Sequence, residues 1–224
     1  MGELPSFSLE GKTALVTGAG RGLGRAIALA LAALTKEMTL MFAAGAVLTY
    51  LAQRDWQRAI KLGVITTAPF AIWQLILYSW FGQFGVGSGG ALATPFEWVP
   101  LRGLWSLAFL DLRVFALFAA IMLPLAVIPA LISLWVTGRD AARAIAGLHI
   151  IDIPMMLLLL SALLILITPQ STFREPLAMA RYIVGLIAAV LTYAASRRSK
   201  RALNYSLLWM FTLALALNEA QLPI

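Results

Sequence analysis

The sequence predicts an all-α integral membrane protein with about six transmembrane helices, preceded by a short strand-turn-helix fragment. Its composition is the first reason: 61% of the 224 residues are hydrophobic, 12% are charged, and the mean hydropathy is +0.88. These values lie outside the range of soluble domains. The second reason is that the apolar residues form runs of membrane-spanning length. We therefore divide the chain into residues 1–33, an incomplete fragment, and 34–224, a multi-spanning membrane domain.

Six apolar runs are predicted to cross the bilayer. Pro124 and Pro129 are expected to kink the third run, which is tolerable in lipid where neighbouring helices satisfy the carbonyls that proline leaves free. The sixth run is short and lies close to the end of the chain. The predicted spans are 36–53, 62–81, 112–136, 148–168, 177–195 and 203–217.

Basic residues predict the orientation of these spans. The loops after the first, third and fifth spans contain most of them, and by the positive-inside bias these loops face the cytoplasm. The segment 82–108 and the loop around Arg174 are then outside. A net charge of +7 is explained by loops that meet anionic headgroups, so no nucleic-acid partner is expected. The cytoplasmic set is Arg54, Arg58, Lys61, Arg139, Arg143, Arg197, Arg198, Lys200 and Arg201.

The N-terminal fragment carries a glycine-rich motif, Thr17-Gly18-Ala19-Gly20-Arg21-Gly22-Leu23-Gly24, after a short apolar strand. Residues 9–31 resemble the opening of short-chain dehydrogenases/reductases. The resemblance implies that Gly18, Gly22 and Gly24 shape a turn for the pyrophosphate of NAD or NADP. The Tyr-x-x-x-Lys pair of that family is missing, and one strand with one helix cannot bury a core. We therefore expect no cofactor and a fusion or gene-model remnant, with an NAD(P)-dependent short-chain oxidoreductase fragment as the alternative.

Several motifs of the membrane domain carry a second resemblance. They are Leu34-Thr35-Lys36-Glu37, Pro69-Phe70-x-x-Trp73-Gln74, Gly87-Ser88-Gly89-Gly90 with Thr94-Pro95-Phe96-Glu97-Trp98, and Phe173-Arg174-Glu175-Pro176-Leu177 through Arg181. Residues 34–210 resemble the C-terminal membrane part of C-type, polyprenyl-phosphate-sugar-dependent glycosyltransferases linked to cell-surface glycopolymer formation. This resemblance implies a bacterial inner (cytoplasmic) membrane location. It also implies a polyprenyl-phosphate-linked sugar as the partner, alongside membrane lipid.

Ionisable residues near the membrane are the candidate site residues, because a charge at that depth is costly and usually serves a site. Lys36 could hold a lipid phosphate that Glu37 helps to orient, or the two could form an interfacial pair at a helix end. Arg174 and Arg181 could clamp a phosphate headgroup or be ordinary solvated loop residues. Glu97 could meet a sugar beside Trp98, although such a Trp is more often an interfacial anchor.

Catalytic residues remain unknown at this stage. The C-type superfamily uses acidic residues in its first external loop, and the dehydrogenase-like fragment stands where that loop should be. We therefore expect a truncated glycosyltransferase that lacks the catalytic acidic loop. A non-enzymatic membrane transporter or assembly subunit is a further alternative. No metal site is expected because the chain has no cysteine and a single His149. Asp152 is predicted to pair with Arg143 or His149, with a role in a proton relay as the alternative.

Overall fold

The computed structural model describes residues 40–84, 97–109, 112–174 and 176–209, and all regular structure within them is helical. This confirms the predicted all-α class. The predicted strand-turn-helix fragment, residues 1–33, lies outside the described residues. The helices are α1 (Leu40–Ala52), α2 (Trp56–Phe81), α3 (Arg102–Ala108), α4 (Leu112–Ile145), α5 (Ile153–Leu166), α6 (Pro176–Ser196) and α7 (Lys200–Tyr205), with 3-10 helices at Gln170–Arg174 and Ser206–Trp209.

The predicted number of spans needs correction. Within the described ranges, two helices are long and apolar enough to cross a membrane: α2 with 26 residues and α4 with 34 residues. The first and fourth predicted spans are shorter helices. α1 has 13 residues and α5 has 14, so each rises only about 20 Å against a hydrocarbon thickness of about 30 Å.

The fourth predicted span is shortened for an identifiable local reason, and only the first part of the sixth falls within the described residues. α5 begins later than predicted because Asp152 caps its first turn, accepting a hydrogen bond from the backbone N–H of Met155 at 3.2 Å. In the sixth span, helix α7 ends at Tyr205 and a 3-10 helix follows to Trp209. The rest of that predicted span, from residue 210, lies outside the described residues.

Helix α5 lies at the centre of the bundle, where it packs against α1, α4 and α6. It is the most uniformly apolar of these helices in sequence, so it can be covered on several sides. Its Met155, Leu158 and Ala162 are at most 2% exposed. Helix α1 also packs on α2, and α3 packs on α4 at the opposite end of α5 from residue 153.

The contact between α1 and α5 depends on a small residue. A Cβ atom added at Gly45 would lie 2.9 Å from Leu157 Cδ2 and 3.3 Å from the Leu157 backbone nitrogen. Ala46 and Thr49 continue the same buried surface of α1. Small residues four positions apart let two helix backbones approach closely, which is a common packing solution in membranes.

Helix α4 is interrupted by a π-helical turn, Leu123–Val127, between its two α-helical parts. Pro129 has no N–H to donate to the Leu125 carbonyl, and the Ile128 N–H donates to the Leu123 carbonyl instead of that of Pro124. The carbonyls of Pro124 and Leu125 therefore lack the donors that a regular helix would supply. Two side chains replace them. The Tyr205 hydroxyl donates to the Pro124 carbonyl at 2.6 Å, and Trp209 Nε1 donates to the Leu125 carbonyl at 2.8 Å. Both carbonyls are thus satisfied from the C-terminal segment.

Three helices end in the same turn at one end of the bundle. After α1, α4 and α6, a residue with positive φ is followed by an N–H that donates five residues back, which is a Schellman motif. The residues with positive φ are Arg54 (59°), Gly147 (73°) and Arg198 (51°). The Gln53 side chain donates to the Ile151 carbonyl at 2.7 Å and joins two of these turns. The basic loops that were predicted to share one side of the membrane are thus joined by direct contacts.

Candidate functional site

At the other end of the bundle, residues 97–108, which include α3 and are called the Glu97 segment below, are attached to the end of α5. The Glu97 backbone N–H donates to the Ile167 carbonyl at 3.1 Å, and the Leu101 N–H donates to the Leu166 carbonyl at 2.7 Å. Leu104 and Leu107 of α3 then enter the main core. The backbone of this segment is therefore held by the last turn of a central helix, although its polar side chains lie at the surface.

The Glu97 carboxylate is only partly engaged within the protein. It lies 3.8 Å from the Arg102 guanidinium, which is 65% exposed, whereas the Glu97 side chain is 24% exposed. An ion pair at this distance in partial contact with solvent contributes little to stability. The carboxylate oxygens keep capacity to accept hydrogen bonds from a ligand. The neighbouring Trp98 is 96% exposed, so its ring is free to stack or to anchor in an interface.

The loop that contains Arg174 lies against the same segment. Helix α3 packs on the 3-10 helix Gln170–Arg174, whose Thr172 is buried and donates its N–H to the Pro169 carbonyl at 3.1 Å. The structure therefore brings together the Glu97 segment and the 3-10 helix that ends at Arg174, which are far apart in sequence. The side chains of Arg174 and Arg181 lie outside the described residues, as do Lys36, Glu37, Gly18, Gly22 and Gly24.

A second polar cluster occupies the end of the bundle that holds the three Schellman turns. Asp140 on α4 is 3% exposed. It is the one charged residue that is buried among the described residues. The Tyr193 hydroxyl donates to its Oδ2 at 2.5 Å. Three guanidiniums surround the carboxylate: Arg139 at 3.2 Å, and Arg143 and Arg197 each at 3.9 Å. With these partners Asp140 is held as a carboxylate.

Arg197 extends this cluster to α5. Its Nη2 lies 3.1 Å from Asp152 Oδ2, although the N–H direction does not meet hydrogen-bond geometry, so the contact is ionic. Its guanidinium carbon also lies 5.4 Å from the centre of the Tyr193 ring. The prediction that Asp152 is paired is confirmed, but the predicted partners, Arg143 and His149, are wrong. Arg197 is brought there because α6 ends beside the beginning of α5.

Sequence analysis did not single out Asp140, although a signal for it exists. Ser133, Thr137 and Asp140 follow one another at helical spacing on a helix whose other residues from Ile128 to Gly138 are apolar, and all three are buried. A polar stripe of this kind marks the face that turns toward the protein. The cluster joins α4, α5 and α6, and its role within the fold is to fix how these three helices meet.

No protein-family model, curated protein or solved structure matches this chain.

Proposed function

We propose that this chain is the membrane-embedded part of a C-type glycosyltransferase that handles a polyprenyl-phosphate-linked sugar at the outer face of the bacterial inner membrane. One observation carries the proposal. The Glu97 segment packs on the loop that ends at Arg174, at the end of the bundle opposite the basic loops. A site for a lipid-linked sugar needs sugar-binding and phosphate-binding groups together at one membrane face.

The outward surface of the long helices supports a membrane environment. On α2, Ile60, Ile72 and Leu75 are each about 60% exposed, and these large side chains recur along most of the helix. Soluble monomers rarely leave apolar surface of this extent in water. The hydroxyls of Thr66 and Thr137 donate to carbonyls of their own helix, at 2.7 and 2.8 Å, as polar side chains commonly do in lipid.

The groups at the outer end match the chemistry of the proposed ligand. A polyprenyl phosphate sugar presents an anion beside a set of hydroxyl groups. An arginine binds a phosphate with two parallel N–H donors, and a carboxylate beside an indole ring binds sugar hydroxyls and the sugar face. Arg174 ends the 3-10 helix on which α3 packs, and α3 follows Glu97 and Trp98 closely in the chain, so the two segments that carry these groups adjoin each other.

A binding experiment on the purified chain tests this proposal. In detergent, undecaprenyl phosphate at about one hundred times its Kd should stabilise the protein by about 2.7 kcal/mol and raise its Tm by about 5–10 °C. The double substitution Arg174→Ala with Arg181→Ala should abolish this shift. A matched pair at the opposite end, Arg58→Ala with Lys61→Ala, removes the same charge and should leave the shift unchanged.

The lipid without its phosphate separates specific binding from a general effect of the isoprenoid chain. Undecaprenol should give a much smaller shift than undecaprenyl phosphate in the wild-type chain. An equal shift with both lipids, or no shift with either, would refute a phosphate site at the outer end. Loss of the shift in the Arg58 and Lys61 pair alone would place phosphate binding at the wrong end of the bundle.

A further inference from the structure

The second half of α4 presents one outward surface whose chemistry changes along the helix axis. Ile128, Leu131 and Ile132 are 44–52% exposed, and Trp135 is 67% exposed. Arg139 follows one turn later, with 43% of its side chain exposed. Spacings of three and four residues place all five side chains on one face of the helix. We call this surface the α4 outer face; it runs from aliphatic through aromatic to basic.

The guanidiniums at the end of the α4 outer face are already held in place. Arg139 Nε and Nη2 both donate to Asp140 Oδ1, at 3.4 and 3.2 Å. Arg143 lies 3.9 Å from the same oxygen and is 54% exposed. A guanidinium has five N–H donors, so both groups keep donors that point to the outside. Because the buried carboxylate restricts them, less side-chain entropy is lost when a ligand binds.

Trp135 marks the depth at which the helix leaves the apolar region. The Arg139 guanidinium carbon lies 5.5 Å from the centre of the Trp135 ring, within cation–π range. Exposed Trp residues prefer the boundary between acyl chains and headgroups. Helix α4 rises about 51 Å over its 34 residues, more than the hydrocarbon thickness, so its last turns extend to headgroup level. Arg139 and Arg143 are then level with lipid phosphates.

We propose that the α4 outer face binds an anionic glycerophospholipid of the leaflet next to the basic loops. The acyl chains lie along Ile128, Leu131 and Ile132, and the headgroup phosphate accepts hydrogen bonds from Arg139 and Arg143. This inference rests on the membrane placement in the proposed function and is independent of the lipid-linked sugar site.

Charge complementarity favours an anionic lipid over a neutral one. At this end of the bundle, nine Lys and Arg residues meet three carboxylates, those of Asp55, Asp140 and Asp152. A free phosphate would match the guanidiniums but would leave the adjoining apolar surface unused. A phospholipid covers both parts of the α4 outer face at once.

The test compares lipid retention by native mass spectrometry after reconstitution in nanodiscs of equal parts phosphatidylglycerol and phosphatidylcholine. The wild-type chain should retain phosphatidylglycerol with about tenfold preference or more. Arg139→Gln with Arg143→Gln should remove most of this preference. Arg58→Gln with Lys61→Gln, which removes two charges from the same end but from another helix, should preserve it.

Further variants keep the result decisive. If the Arg139 and Arg143 variant does not fold, as judged by circular dichroism, Trp135→Ala leaves the ion pairs in place and should at least halve the preference. Equal retention of both lipids by wild type, or equal loss in both charge pairs, would overturn a specific site. Suppression of retention by millimolar inorganic phosphate would indicate an anion site without a lipid requirement and would also overturn the proposal. The undecaprenyl phosphate shift should persist in the α4 variants, so failure of one proposal is distinguishable from failure of the other.

Discussion

Asp140 shows how a single buried charge can be stabilised in this protein. Burial removes the carboxylate from water, which is costly unless hydrogen bonds and opposite charges replace the lost hydration. Tyr193 supplies the shortest of these contacts, at 2.5 Å, from a different helix. Arg139 and Arg143 lie partly in solvent, with exposed fractions of 43% and 54%, so their attraction is screened. Arg197 Nη2 is buried but lies 3.9 Å from the carboxylate. The Tyr193 hydroxyl is therefore the partner on which the buried carboxylate depends most.

We expect Tyr193→Phe to lower the free energy of unfolding by about 1.5–3 kcal/mol, because it removes a hydrogen bond to a charged group. The measurement is reversible unfolding in mixed micelles, followed by circular dichroism. Tyr78→Phe is a suitable control because Tyr78 is 50% exposed, and its change should be within about 0.5 kcal/mol. Equal effects of the two substitutions would show that the contact between Tyr193 and Asp140 contributes nothing.

Gly45 provides a second prediction at the residue scale. Alanine at this position would press its methyl group against the Leu157 backbone nitrogen, 3.3 Å from the ideal Cβ position, where little movement is possible. Gly45→Ala should therefore destabilise the protein by about 1–3 kcal/mol in the same unfolding assay.

Gly138 is the matched control, since it is also a helical glycine but has nothing within 4 Å of its ideal Cβ position. Gly138→Ala should be neutral or stabilise the protein by up to about 1 kcal/mol, because alanine favours the helix. Stabilisation by both substitutions would show that α1 and α5 do not approach as closely as the structure has them.

The contacts of some of these residues could be predicted from the sequence, and the contacts of others could not. A charged residue at the start of an apolar helix, such as Asp152, has few roles other than capping and pairing, so its pairing was predictable. Its partner was not, because Arg197 reaches it only through the packing of α6 beside α5. The close approach at Gly45 was equally unpredictable, since it depends on which helix lies opposite.

At the scale of elements, α4 lacks two of its backbone hydrogen bonds, and side chains from a segment distant in sequence supply the missing donors. The π-helical turn and Pro129 leave the carbonyls of Pro124 and Leu125 without their α-helical donors. Tyr205 and Trp209 donate to them from 81 and 84 residues away in the sequence. These hydrogen bonds fix the C-terminal segment against the middle of α4.

A double-mutant cycle tests whether Trp209 supplies the donor that the Leu125 carbonyl lacks. Trp209→Phe should cost about 1–3 kcal/mol of stability in the wild-type background, because it leaves the Leu125 carbonyl without its donor. In a Pro129→Ala background, the backbone N–H gained at position 129 can donate to that carbonyl, so the same substitution should cost about 1 kcal/mol less. The loss of ring volume is common to both backgrounds and cancels. Identical costs in the two backgrounds would mean that Trp209 acts through packing alone.

Hydropathy predicted the positions of most helices but not their lengths. The predicted third span, 112–136, lies within α4, yet the helix continues to Ile145 through a charged stretch. The run of apolar residues ends where a membrane boundary is predicted, whereas the helix continues until the Schellman turn at Gly147. Within the described part of the predicted sixth span the opposite occurs, since apolar residues continue past Tyr205 although the α-helix gives way to a 3-10 helix, Ser206–Trp209.

For the whole molecule, the main feature is the difference between its two ends. One end holds the three Schellman turns and the ion pairs of Asp140 and Asp152, and the other holds the Glu97 segment and the 3-10 helix at Gln170–Arg174. The sequence predicted this division from the distribution of basic loops. The meeting of the Glu97 and Arg174 segments required the tertiary structure, because 76 residues separate them and no local pattern joins them.

The side of the membrane that each end faces tests the account most directly. The chain has no cysteine, so a single introduced thiol is the only reporter in each variant. Val99→Cys lies at the outer end and Ala146→Cys at the basic end, both at exposed positions. With a membrane-impermeant maleimide, Val99→Cys should be labelled in intact bacterial cells, and Ala146→Cys should be labelled only after the membrane is permeabilised. Labelling of both from the same side, or recovery of the chain in the soluble fraction, would contradict the account.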